Sequence, residues 1–329
     1  MKSHKWIIAA ASALCIAVSL PLSALAQGPG GNPPSGGSGG GPGGSASDVT
    51  YTAATEITSA ASLEDGVYLS DSADENAILV DTDEEVTLTN PNVTKAGDSD
   101  GGDSCNFYGL NAAVLAKGGT TLTISGGTIT SDASGANGVF SYGGNGGQNG
   151  AAGDGTTVNI SNTVITTSGD GSGGIMTTGG GITNASNLTV TTSGRSSAAI
   201  RTDRGGGTVN VDGGTYTSNG LGSPAIYSTA AITVQNATLV SNLSEGVCIE
   251  GMNTITLTDC DLTANNTQCN GNATFLDTIM IYQSMSGDAD SGTSAFTMTG
   301  GSLTSKSGHV FHVTNTHAVI TLNGVQIVN

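Results

Sequence analysis

The chain has 329 residues, 52 of them glycine, with 10% charged and 4% aromatic residues, and 8 Lys+Arg against 26 Asp+Glu give a formal net charge of −18 at pH 7. So acidic a surface repels nucleic-acid phosphates and anionic membranes, which argues against both as partners. A disordered chain is excluded as well, because Val, Ile and Leu recur at strand spacing instead of giving way to dense charge.

The first 26 residues read as a signal peptide. Lys2 and Lys5 form a charged start, Ile7 to Leu22 an apolar stretch, and Ala24-Leu25-Ala26 an A-x-A cleavage site. This predicts export, either as a secreted protein or to the cell surface. Cys15 follows Leu14 rather than a small residue, so it lacks a lipoprotein context, and no later apolar run is long enough to span a bilayer. Residues 27–47 form a Gly/Pro/Ser-rich linker without the apolar side chains needed to hold it against a core.

From residue 48 to the end, one three-part unit recurs: an alternating strand, a Gly/Asn turn, a second strand centred on one large apolar residue, a Gly-rich turn and a third strand. It is plain in TTLTISGGTIT (120–130), GTVNVDGGTYT (207–217) and TITLTDCDLTA (254–264). The central residues are Val93, Ile129, Ile165, Val190, Tyr216, Leu239, Leu262, Leu303 and Ile327. They recur about every two dozen residues, with longer intervals where segments such as 96–109 and 143–153 are inserted. The prediction is an all-β fold: a right-handed parallel β-helix (solenoid) of about nine rungs, three short strands per rung, over residues 48–329. Alternation puts pairs such as Leu122/Ile124 and Ile232/Val234 inward, and Thr123, Asn159, Asn210 and Thr233 outward. The Gly and Asn between strands suit corners with positive φ. The last unit ends in QIVN without a polar cap, so a further C-terminal domain or a partner is expected to cover the last rung.

The third strand of each unit carries the less monotonous residues. Aligning GVFSY, GIMTT, AIRTD, AIYST, CIEGM, MIYQS and VFHVT gives an outward column of Phe140, Met176, Arg201, Tyr227, Glu250, Tyr282 and His312. Aromatic rings stack on sugar C–H faces, and Arg and Glu serve hydroxyls, so the column is a candidate polysaccharide site; alternatively, large outward residues pack beneath inserted loops. Arg195, Arg201 and Arg204 cluster within ten residues, which suits a carboxylated sugar or neutralisation of Asp203. If the chain were an enzyme, Arg201 or the Asp203/Glu250 pair would carry the chemistry. Asp98, Asp100 and Asp103 alternate with Ser and Gly as in a calcium loop, but lack the terminal Glu of an EF-hand. No other cofactor is implied. A Cys260–Cys269 bridge is open to an exported chain, and His309, His312 and His317 read as surface residues.

Units such as TVNISNTVITTSG and ITLTDCDLTANN, with NGVF and AIRTDRGGG, resemble the exported bacterial right-handed parallel β-helix proteins of the pectin-lyase-like group. The adhesin-like, carbohydrate-binding members share this Gly/Thr/Asn texture. The resemblance implies an exported, non-catalytic binding protein that recognises a polysaccharide or surface glycan. The alternatives are a polysaccharide lyase or glycoside hydrolase and, third, an ice-binding or structural rod suggested by outward Thr pairs. Pectate lyases of the group are expected to place their arginine in an R-x-P-x-x-R context, and Arg201-Thr202-Asp203-Arg204 departs from it.

Overall fold

The computed structural model describes residues 49–145, 152–269, 274–284 and 289–329. The expected signal peptide, the expected linker and most of the 143–153 segment lie outside the described residues. No described helix is long and apolar enough to cross a membrane.

The described chain winds as a right-handed parallel β-helix. One ten-stranded sheet forms the first face, and an eighteen-stranded sheet forms the second and third, because Gly181–Thr192 and Gly207–Ser218 each run through both as one continuous strand. Every strand pairs in parallel with its counterpart one coil away, as Val158↔Leu122 and Val158↔Thr183 show. The nine central residues read from the sequence stack in register, from Val93↔Ile129 to Leu303↔Ile327, and Tyr68 adds a tenth below Val93.

The alternation explains the core. Leu122, Ile124, Ile232 and Val234 are 0–1% exposed and join one continuous apolar cluster running through the coils. Ile320 and Leu322 pair with Phe296 and Met298 as expected, yet are 36% and 37% exposed because no described coil lies beyond them. At least one left-handed residue marks the corner between second and third faces in every described coil, with Asn162 (φ 52°), Asn187 (φ 51°), Gly213 (φ 73°) and Asn236 (φ 56°) in succession. Only Gly, Asn and Asp adopt this conformation at low cost, hence their monotony in the sequence.

The insertion after Lys95 forms a short helix, α1 (Asp103–Tyr108), laid on the outside of the first face. Phe107 and Tyr108 pack there with Leu115, Phe140, Tyr142 and Met176. Asn137 Nδ2 donates to the Cys105 carbonyl (3.3 Å) and Thr178 Oγ1 to that of Phe107 (2.7 Å), so the coils themselves hold the insertion down.

Candidate functional site

The column predicted on the first face points away from the solenoid interior but does not meet solvent. Phe140, Met176 and Tyr282 are fully buried, and Arg201, Tyr227 and Glu250 are 1–3% exposed. Helix α1 covers the first two, while Tyr227 and Tyr282 form a second buried cluster with Ala198, Cys248 and Met280. An open sugar-stacking strip is therefore not what these residues make. The register also differs from the sequence alignment: Tyr227 pairs with Cys248 and Cys248 with Met280, whereas Glu250 pairs with Tyr282 two positions further on. A slip of two residues keeps every side chain on its face, so alternation alone does not reveal it. His312 returns to the column beside Met280.

What converges instead is a polar network under cover. Arg201 donates through Nη2 and Nε to Asp203 Oδ2 (2.6 and 3.2 Å) and through Nη1 to Asn106 Oδ1 of helix α1 (3.2 Å). Its guanidinium carbon lies 5.7 Å from the Tyr227 ring centroid. Tyr227 and Tyr282 donate their hydroxyls to Glu250 Oε2 (2.5 and 3.0 Å), and Ser284 donates to Oε1. Burial, then the nearby carboxylate, pushes both phenols well above their usual range, so they remain donors. Of the residues an enzyme would need, Arg201 and Asp203 are thus spent on each other and on the insertion, and Glu250 on Tyr227, Tyr282 and Ser284. Arg204 stacks over Phe107, 4.0 Å from the ring centroid, and Arg195 lines a corner pocket of about 210 Å³ with Asp100, Asp170, Asn106 and Ser196, the last two also accepting from Arg201.

Among the described residues no three His, Cys, Asp or Glu side chains are grouped to hold a metal. Asp98, Asp100 and Asp103 stand exposed without converging, and Asp98 Oδ1 accepts the Ser134 amide (2.8 Å), a corner hydrogen bond between coils. Cys260 and Cys269 are unbridged: Cys260 faces inward and is buried, while Cys269 is exposed. His309 and His317 are exposed as expected, but His312 is 8% exposed and its Nδ1 lies 2.9 Å from Asp277 Oδ2. Burial pushes the Asp277 carboxyl up to about 7, with His309 acting in the opposite sense, and burial lowers His312.

An open concave surface lies on the second face. A groove of about 480 Å³ crosses five coils there. One wall is the outward column Thr123, Asn159, Asn184, Asn210 and Thr233; the other is Ser161, Ser186, Asp212 and Gln235; the strands at Ile160, Ala185 and Val211 form the floor. Asn184 Nδ2 donates to Asn159 Oδ1 and Asn210 Nδ2 to Asn184 Oδ1, each at 2.9 Å, so the amides form a ladder along the rod. Asp212 accepts from Asn236 Nδ2 (2.8 Å), and the hydrogen bonds from Asn236 and Gln235 hold its carboxyl below the usual range. Asn159 and Asn210 read as outward in the sequence, but not as a site. The signal was there in TVNIS, ITNAS and TVNVD, which place Asn at one register position in three consecutive coils.

Comparison of the chain with protein-family models, with curated proteins and with solved structures returns no match. The parallel β-helix therefore stands on the strand pairing itself, and function has to be argued from the surface.

Proposed function

We propose that the chain is an exported, non-catalytic, adhesin-like binding protein that holds a polysaccharide or surface glycan along one side of its β-helix. The observation that carries this reading is the 480 Å³ groove of the second face, walled over five coils by Asn, Thr and Ser side chains in register. Closely spaced amides and hydroxyls offer donors and acceptors to sugar hydroxyls, on a scaffold whose strands fix their positions before binding. The signal-like N-terminus and the linker suit a rod displayed away from its point of attachment. The lyase or hydrolase alternative would run through Arg201, Asp203 and Glu250; their burial, the pairing of Arg201 with Asp203 and the bonding of Glu250 to Tyr227 weigh against it.

The test is retention of the purified protein on a panel of immobilised neutral and acidic polysaccharides, with the supernatant assayed for released or unsaturated sugars. Retention without products, weakened roughly tenfold by Asn184→Ala, is the expected result, equivalent to the loss of about one hydrogen bond. Product formation that disappears on Arg201→Ala overturns the non-catalytic reading.

A further inference from the structure

We propose that the second-face groove is selective for a neutral glycan chain that lies along the rod axis, one sugar per coil, and presents adjacent hydroxyls to the Asn ladder, while polyuronates are rejected. This deepens the binding reading and rests on it.

The direction of the ladder hydrogen bonds sets the chemistry. A side-chain amide carries two N–H donors and two acceptor lone pairs. Asn184 uses one N–H on Asn159 and one lone pair on Asn210. One donor and one acceptor remain on the same planar group, side by side. That is the complement of a vicinal diol, in which one hydroxyl donates and its neighbour accepts, and a carboxylate, which only accepts, satisfies half of it. Because the ladder already orients each amide, a ligand meets it without further ordering of these side chains.

The spacing sets the direction. Adjacent coils lie about 4.8 Å apart, so five coils span roughly 19 Å along the axis. A β-1,4-linked pyranose chain advances by a similar distance per residue, which lets successive sugars meet successive amides. The floor is the strand backbone at Ile160, Ala185 and Val211, whose side chains face the interior, so it leaves a shallow bed between the two outward columns.

Charge sets the selectivity. Among the described residues lining the groove there is no Lys or Arg, and the one charged group is Asp212, whose lowered pKa keeps it anionic at neutral pH. The cations that suggested a uronate ligand are elsewhere: Arg201 is bound to Asp203 on the first face, Arg204 lies over Phe107, and Arg195 lines the corner pocket. A polyanion entering the groove meets Asp212 on a chain of net charge −18, with no compensating cation at hand.

The experiment is calorimetric titration of the full chain with three hexasaccharides, β-1,4-glucan, β-1,4-mannan and α-1,4-galacturonan, at low and high ionic strength. Asn184→Ala deletes the central amide, and Ser186→Tyr fills the groove while leaving the ladder intact; thermal unfolding of each variant checks that it folds. At least one neutral hexamer binds, both variants weaken it tenfold or more, and the galacturonan binds at least tenfold less tightly, with Asp212→Asn narrowing that gap at low salt. If the galacturonan binds as well as the neutral hexamers and is lost with both variants, the groove is a glycan site but the neutral assignment is wrong. If no hexamer binds, or binding ignores both variants, the groove reading itself fails.

Discussion

At the corner between second and third faces the chain turns in the left-handed region, and that one requirement writes much of the sequence. Gly213 has φ 73°, and a Cβ on it would lie 2.5 Å from Asn187 Oδ1 of the preceding coil. Gly213→Ala therefore combines a strained backbone with a contact to a movable side chain. Its expected cost is about 1–2 kcal/mol in chemical denaturation, with Gly213→Asn costing less because Asn tolerates this region. Asn162 and Asn187 already occupy the same corner in the two preceding coils. Equal costs for the two variants would show that crowding, rather than φ, governs the site. The corner residues were legible from composition because their constraint is local.

Helix α1 and the strand Ile200–Thr202 depend on each other. Arg201 bridges them, holding Asp203 in its own coil and Asn106 95 residues earlier. Arg201→Ala leaves the buried Asp203 carboxylate without its guanidinium and loosens the insertion, for an expected loss of roughly 3–5 kcal/mol. Arg201→Lys does not restore it, because a point charge cannot serve Asp203, Asn106 and the Tyr227 ring together. Thermal unfolding, with proteolytic cleavage between residues 98 and 113, reads both effects; unchanged stability would show that the pair contributes nothing net. Sequence reasoning singled out Arg201 because cations are scarce in this chain. It offered either a ligand or neutralisation of Asp203, and the second is what the structure shows; contact with Asn106 was not legible, because it depends on how an inserted segment folds back, which strand periodicity does not encode.

Each coil of the solenoid touches only its neighbours, so a residue's contribution depends on whether it is covered on both sides. Leu239 and Ile327 occupy the same column, the first 0% and the second 46% exposed. Leu239→Ala is expected to cost about 2–5 kcal/mol by leaving a cavity between Tyr216 and Leu262. Ile327→Ala should cost well under half as much, since it removes little buried surface. Denaturant titration of both variants measures the difference, and similar losses would mean that the last coil is covered in solution.

The repeat, the inward and outward alternation and the corner chemistry were determined by the sequence alone, because each follows from interactions within a few residues or from identical units stacked in order. Only the tertiary structure decided which outward residues meet water. Phe140 and Met176 lie under helix α1, and Glu250 stands two positions out of the expected column, since covering segments and even-numbered slips leave the two-residue period untouched. Conversely, Asn159, Asn184 and Asn210 look like three ordinary polar residues until stacking brings them within 2.9 Å of one another. A groove is a property of neighbouring coils, and residues some 25 positions apart become neighbours only when the chain winds.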